Sequence, residues 1–200
     1  MKHYFNPMSR AVTTHWMLTE LGAEYEQIVV DFASAETGSP EYRRINPMGK
    51  IPTLVDGEVV VTEVAAICAY LADRYPEKGL APPPDSRERG RYYRYLFFPG
   101  TTLEPMFTVR LLGVTDYPAQ SVGWGDFDRC MATVESMTPL SDWALGSRFS
   151  AADVVFGATL VFAVQSRWIE SPTPRVAAYV GRIKDRPAYR QSHDPAGSLV

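Results

Sequence analysis

Apolar residues along the first part of the chain follow two alternating spacings, that of a strand and that of a helix. Lys2 to Phe5 predicts a short strand, which Pro7 ends. From Arg10 to Leu21 the pairs Val12–Trp16 and Met17–Leu21 keep i, i+4 spacing, and Gly22 closes the helix they predict. Glu24 to Asp31 alternates around Tyr25, Ile28 and Val30 and reads as a strand. A short helix is expected over Ala33 to Ile45, weakened by Gly38 and Pro40. Two strands flank Asp56-Gly57, a hairpin signal. A last helix, Thr62 to Arg74, carries Val64, Ile67, Cys68 and Leu71 on one face. The order is βαβαββα.

The pattern then changes. Pro76 to Asp85 includes three consecutive prolines, Pro82-Pro83-Pro84, which form a stiff spacer and cannot enter a helix interior. No convincing strand pattern follows. Arg87 to Leu112 reads as a long helix kinked near Pro99-Gly100, and two or more helices are expected over Val122 to Leu145. Ser150 is a natural helix N-cap, with Asp153 at the third helical position to reach back and Phe149 and Val154 at the staple positions. The run from Val154 to Val164 is apolar all round and predicts a buried central helix. The expected organisation is an α+β domain over 1–77, a Pro-rich linker over 78–86 and an all-helical domain over 87–200.

Composition narrows the function classes. The chain has 200 residues, 46% of them hydrophobic, enough for one compact unit or two small ones with their own cores. Net charge is −3, so there is no electrostatic case for nucleic acid. Residues 1–77 carry 6 Lys+Arg against 11 Asp+Glu, and residues 78–200 carry 14 against 12, a split too mild to imply a polyanionic partner. Cys68 and Cys130 lie in expected helices without metal-like spacing, which fits a reducing compartment. His3, His15 and His193 show no ligand spacing either, so no metal is expected. The N-terminus lacks an apolar signal core, and the longest apolar run is too short to span a bilayer. The expectation is a cytoplasmic protein with no membrane partner.

The richest stretch is Asn46 to Tyr75. A turn leads into Ile51-Pro52, then strand, hairpin, strand and a helix opening on Thr62-Glu63. Proline cannot donate to a sheet ladder, so Pro52 belongs at a strand's edge or start. An X-Pro bond is also the common place for a cis peptide, and a cis bond there would turn the backbone of Ile51 toward a peptide-like ligand. The helix N-terminus a few residues later offers free N–H groups to an anion. These residues, with the Ser150/Asp153 cap before a buried helix, resemble the soluble glutathione transferases, of a serine-type bacterial-like kind. The resemblance covers nearly the whole chain through two separated signatures, 46–75 and 146–164. It implies a thioredoxin-like first domain followed by a helical domain.

Glutathione transfer needs a thiolate, and a free thiol has a pKa of about 8.5. Each unit of depression takes roughly 1.4 kcal/mol of differential interaction. A hydroxyl aimed at the sulfur, or a helix N-terminus, supplies it. Ser9 has a hydroxyl and stands at the start of the first helix, and Pro7-Met8-Ser9 matches the step that precedes the catalytic serine in serine-type members. A serine there is equally a helix cap. Tyr4 is the rival donor, as in tyrosine-type members, although a Tyr inside a strand is ordinarily core. Arg10 stands where thiol-bearing members place a cysteine, and it reads either as a charge that helps the thiolate or as a solvated helix-start arginine. With no Cys at 8, 9 or 10, a protein-thiol redox route is not expected.

By resemblance, Ile51, held by Pro52, pairs with the cysteinyl part of glutathione, Lys50 meets the glycyl carboxylate, and Glu63 takes the γ-glutamyl ammonium group. The family commonly has Glu-Ser, and this chain has Glu63-Val64, so only the backbone N–H of Val64 remains for the γ-glutamyl carboxylate. The second substrate, an apolar electrophile, is expected between the domains, near Met8, Phe98, Thr102, Met106 and Phe107, with Trp124 and Trp168. Arg87, Arg91 and Arg94 form a one-sided basic stripe, read as a solvated or subunit-facing surface. The resemblance further implies a homodimer acting in detoxification, with glutathione as co-substrate. Peroxidase, dehalogenase or isomerase chemistry would use the same thiolate. The alternative is a transferase-like binding or interaction module without turnover, which Val64 favours.

Overall fold

A computed structural model describes residues 1–34 and 36–193. Two compact units are present: residues 1–78 with the segment from Arg186, and Gly79–Asp185.

The first unit is built on a four-stranded sheet. Its strands are β1 (Lys2–Phe5), β2 (Glu26–Val29), β3 (Thr53–Asp56) and β4 (Val59–Thr62), in the order β2-β1-β3-β4. β1 runs parallel to β2 and antiparallel to β3, and β3 pairs antiparallel with β4. Helix α1 (Ala11–Leu21) crosses between β1 and β2. It ends on Gly22 in the left-handed conformation, as expected. Successive strand residues face opposite sides. His3 and Phe5 therefore meet α1, through Thr14 and His15, while Tyr4 turns to the other face and sets its ring edge-on to Tyr42 of α2 (Pro40–Ile45). Helix α3 (Val64–Arg74) packs beside α1 through Ile67, Cys68, Leu71 and Ala72. The last helix, α9 (Pro187–His193), lies against α1. There Arg186 forks onto Glu20 with two 2.7 Å bonds, and Trp16 meets the ring of Tyr189 at 5.0 Å.

Three expectations change here. The helix expected over Ala33–Ile45 is a 3-10 turn, Glu36–Gly38, and then α2, because Ser39 caps a new start and Pro40 takes its first position. Ala35 lies outside the described residues. The hairpin loop is Gly57–Glu58, one residue later than the Asp56-Gly57 signal. Gly57 takes φ 60 at the first loop position, the II′ arrangement. Thr62 closes β4 rather than opening a helix, so Glu63 is the cap residue of α3 rather than part of its first turn.

The second unit is helical, and among its described residues only isolated bridges at 143–148 resemble strand pairing. Helix α4 (Glu88–Phe98) passes through a π-helical turn, Pro99–Leu103, into α5 (Glu104–Leu111), so the expected kink at Pro99 is a widened turn. Val122–Leu145 holds one helix, α6 (Phe127–Met137), not several. Thr138 precedes a proline and takes extended backbone, which stops the helix. Helix α7 (Ala151–Gln165) is buried on nearly every side and is the centre of the unit, as its apolar run predicts. Asp153 at its start accepts from the Ser150 N–H at 3.0 Å, from Ala144 N–H at 2.7 Å and from the Tyr179 hydroxyl at 2.9 Å. Burial pushes its carboxyl up to about 6 against those donors. Helix α8 (Pro174–Asp185) packs on α7, with Ile183 over Gly157.

Candidate functional site

The strand register gathers the expected site residues of the first unit. Thr53 pairs with Tyr4 on one side and Thr62 on the other. The loop after β1, the Ile51-Pro52 step before β3 and the Glu63-Val64 step after β4 therefore all emerge at one end of the sheet. Ser9, Lys50, Ile51, Pro52, Glu63 and Val64 sit on these three segments.

Asn6 sets the first segment. Its amide donates to Val30 O at 2.8 Å, tying the loop to the end of β2, and its Oδ1 accepts the Met8 N–H at 2.8 Å. Ser9 is half-buried. Its Oγ donates to Asn6 O at 2.7 Å and accepts the Ala11 N–H at 3.1 Å. The hydroxyl thus takes the first N–H of α1 from one residue before the N-cap position, Arg10, while its proton rests on a backbone carbonyl. That proton can rotate onto an incoming acceptor without releasing the Ala11 N–H. Tyr4 is drawn away instead, with its ring 5.3 Å from that of Tyr42.

The second segment is clamped from below. Ile51-Pro52 is a cis peptide. The carbonyl of Lys50 accepts from the Tyr42 hydroxyl at 2.6 Å and from the Asn46 amide at 2.7 Å. That amide also reaches Thr53 Oγ1 at 3.2 Å, and Thr53 and Tyr42 share a bond at 2.9 Å. The donors and acceptors close as a set. Tyr42 and the Asn46 amide fill both lone pairs of the Lys50 carbonyl, and Thr53 donates to Tyr42. Gly49 (φ 61) makes the turn possible, because a Cβ there would meet Thr37 O at 2.6 Å. The Lys50 side chain itself is exposed.

Glu63 shapes the third segment. It holds φ 70, a left-handed conformation that is costly for glutamate, and its side chain is exposed. Behind it α3 begins at Val64. The first N–H groups of a helix have no partner four residues back, so the start of α3 presents donors and a positive dipole end at this edge of the sheet.

Sequence reasoning did not single out Asn6, Tyr42, Asn46 or Thr53. Asn46 and Thr53 read as turn and strand residues, and only the fold of the loop between α2 and β3 reveals them as buried partners. Both cysteines are buried with their thiols pushed up by burial, so neither is a nucleophile at neutral pH. Among the described residues no group of His, Cys, Asp and Glu side chains could hold a metal ion, and no helix is long and apolar enough to cross a membrane. Of the expected electrophile-site residues, Met8 is exposed in the first unit. In the second unit Phe98, Thr102 and Trp124 line one cavity, while Phe107 and Trp168 line another.

A family model described as the N-terminal domain of glutathione S-transferase matches residues 1–73. The chain is 26% identical to glutathione S-transferase GstA of Escherichia coli O157:H7 over 98% of its own length and 99% of that protein's. Among solved structures it is similar to the bacterial beta class glutathione S-transferase of Sphingomonas chungbukensis. There the identity is 30%, the TM-score 0.78, and each chain is fully covered. It is also similar to a sphingomonad glutathione S-transferase complexed with glutathione, with 28% identity, a TM-score of 0.80 and full coverage of both chains.

Proposed function

The chain belongs to the glutathione S-transferase family, and on that premise we propose that it activates glutathione for attack on an apolar electrophile, with Ser9 as the hydroxyl that holds the thiolate. The observation that carries this reading is the meeting of the Ser9 loop, the Ile51-Pro52 step and the start of α3 at one end of the sheet.

Glutathione is a peptide with a carboxylate at each end, an ammonium group and a thiol. In this reading Ile51 offers its backbone to the cysteinyl part, on a loop held by Pro52 and the Lys50 carbonyl clamp. The Lys50 ammonium meets the glycyl carboxylate. Glu63 takes the γ-glutamyl ammonium group, and the α3 start, through the Val64 N–H, takes the γ-glutamyl carboxylate. Ser9 rotates its proton from Asn6 O to donate a hydrogen bond to the sulfur, which lowers the thiol pKa, so the thiol proton passes to solvent water. The thiolate then forms a C–S bond with an electrophilic carbon. The displaced electron pair leaves with the leaving group, or on an activated double bond that later takes a proton. Positioning and charge stabilisation supply the acceleration, with no covalent enzyme intermediate. A homodimer working in cytoplasmic detoxification is the assembly and setting that go with the family.

The test is a calorimetric titration of the protein and of Ser9→Ala with glutathione, following thiolate absorbance of the bound form across pH. The expected result is saturable binding with a bound thiol pKa well below about 8.5. In Ser9→Ala that pKa rises and turnover falls by at least roughly an order of magnitude. Unchanged turnover removes Ser9 from the mechanism. Absence of glutathione binding in the unaltered protein rejects the transferase reading in favour of an interaction module.

A further inference from the structure

The chain contains two asparagines, Asn6 and Asn46, and each opens the tripeptide Asn-Pro-Met. The two copies build the same turn. In each, the asparagine Oδ1 accepts the methionine N–H, at 2.8 Å for Met8 and 3.1 Å for Met48. In each, the asparagine carbonyl accepts the N–H three residues on, from Ser9 at 3.1 Å and from Gly49 at 2.9 Å. Asparagine first and proline second suit such a turn, because the side chain supplies the inner bond and the ring presets φ. In each, the amide Nδ2 then donates to a backbone carbonyl outside the turn, and here the two differ. Asn46 reaches Lys50 O, four residues on, within its own loop. Asn6 reaches Val30 O, 24 residues away, at the end of β2.

That difference gives Asn6 a task that the local turn does not perform. Pro7 and Met8 are exposed, so apolar packing does not hold the tip of this loop. Val30, by contrast, is fully buried, and its N–H bonds Phe5 O at 2.8 Å, so its carbonyl is fixed to the sheet. The turn fixes Ser9 relative to Asn6, and the amide fixes Asn6 relative to the sheet. Asn6 O receives both the N–H and the hydroxyl of Ser9, at 3.1 and 2.7 Å. A carbonyl has two lone pairs, and here one residue takes both. The place of Ser9 Oγ is therefore set by a run of hydrogen bonds that starts at β2 and passes through Asn6. The Ile51-Pro52 step and the start of α3 are set by β3 and β4 of the same sheet, so the amide brings the hydroxyl into one frame with them.

We propose that Asn6 is the positioning residue of the Ser9 hydroxyl, holding it through the side-chain bond to Val30 O in the frame of the sheet edge that receives glutathione. The role rests on Ser9 holding the thiolate, as proposed above. Asn6 touches neither substrate in that reading and acts through Ser9. A displacement of about 1 Å in a reacting arrangement can cost roughly a hundredfold in rate, so a loop that keeps its turn and loses its tether is felt at the sulfur.

The test compares Asn6→Ala, Asn6→Ser, Ser9→Ala and the double variant Asn6→Ala/Ser9→Ala in the full chain. It reads the thiolate absorbance of bound glutathione across pH, and kcat and the glutathione KM with chlorodinitrobenzene as electrophile. Asn6→Ser keeps an oxygen for the Met8 N–H but is too short to reach Val30 O, so it removes the tether and spares the turn. Both Asn6 variants raise the pKa of the bound thiol, in the direction of Ser9→Ala, and lower kcat roughly tenfold while KM stays within about twofold. In the double variant the Asn6 change adds less than about twofold to the Ser9→Ala loss, because nothing is left to position. Losses that multiply, as a general loosening of the fold would give, overturn the proposal. So does an unaltered thiol pKa in Asn6→Ser when Ser9→Ala raises it, and in that case the role of Ser9 stands. If Ser9→Ala itself changes neither thiol pKa nor turnover, the reading of Ser9 fails first and the role of Asn6 goes with it.

Discussion

The hydroxyl of Tyr42 reaches the carbonyl of Lys50 at 2.6 Å, tying α2 to the backbone immediately before the Ile51-Pro52 step. Burial raises the pKa of that hydroxyl, so it remains a neutral donor through the physiological range. Its position connects a core hydrogen bond to the edge proposed to receive glutathione.

Tyr42→Phe removes that donor without changing shape. The Lys50 carbonyl keeps the Asn46 amide, and Thr53, already 3.3 Å away, gains the freed lone pair. The expected stability loss is about 1 kcal/mol. The functional effect is larger than that repair suggests, because the loop before Pro52 loses its tightest anchor. Glutathione affinity falls while the pKa of bound thiol, which we propose is set at Ser9, stays put. Urea unfolding and a glutathione titration at two pH values check both halves. A loss of stability with unaltered affinity would reduce Tyr42 to a core residue.

Val64→Ser places a hydroxyl at the start of α3, where the resemblance to the family leads one to expect it. A charge-assisted hydrogen bond to a carboxylate contributes on the order of 1.5–3 kcal/mol, so glutathione should bind at least roughly tenfold tighter. Val64 is only partly buried, which leaves room for the exchange. An isothermal titration of the variant decides it. No gain means that another donor already serves that carboxylate.

Local chemistry made some of this fold legible in the sequence, and the tertiary course of loops and helices hid the rest. Gly22 and the Ser150/Asp153 pair act within one turn of themselves, so their effects could be read directly, whereas Pro40 opens α2 instead of weakening a longer helix. The buried polar set of Tyr42, Asn46 and Thr53 could not be read. Its members lie within 11 residues of one another, and the fold of the loop between α2 and β3 is what turns them onto the Lys50 carbonyl. Ser9 could be read as a capping residue, but the destination of its proton on Asn6 O depends on a loop that Asn6 fastens to β2. The bounds of α8 and α9, inside the stretch expected to be helical, could not be read for another reason. Their apolar positions serve partners fixed only by packing, such as Ile183 on Gly157.

That contact yields a further prediction. A Cβ on Gly157 would lie 2.5 Å from Ile183 Cδ1 and 2.8 Å from its Cγ1, and Ile183 is fully buried. Alanine gains roughly 1 kcal/mol of helix propensity over glycine, yet overpacking of this kind costs about 1–3 kcal/mol. Gly157→Ala is therefore expected to lower stability, and Ile183→Val in the same chain to recover part of the loss. A double-mutant cycle by chemical denaturation measures the coupling. A Gly157→Ala variant more stable than the parent would show that α8 shifts freely.

The last prediction concerns acid. His3 is fully buried beneath α1, and its Nε2 lies 2.8 Å from Thr14 Oγ1. Thr14 already donates to Ala11 O at 3.0 Å, so Nε2 must be the donor to Thr14, and Nδ1 is a bare acceptor with no partner among the described residues. Protonation would place a buried N–H where nothing accepts it. Burial first, and the nearby His15 second, lower the His3 pKa from 6.5 to about 3. His15 and His193 are lowered as well, chiefly by burial. Between those two pH values the unfolded chain binds a proton that the folded chain refuses. The stability from neutral His3 is thus full above pH 6.5 and drains away as pH falls toward 3. Asp153, raised from 3.8 to about 6, acts in the opposite sense over the upper part of that window. His3→Phe should flatten the acid limb of the unfolding free energy by up to roughly 1.4 kcal/mol per pH unit. It should also leave glutathione binding intact. Urea melts of both proteins across the window test this, and parallel slopes would show that the acid sensitivity originates in another group.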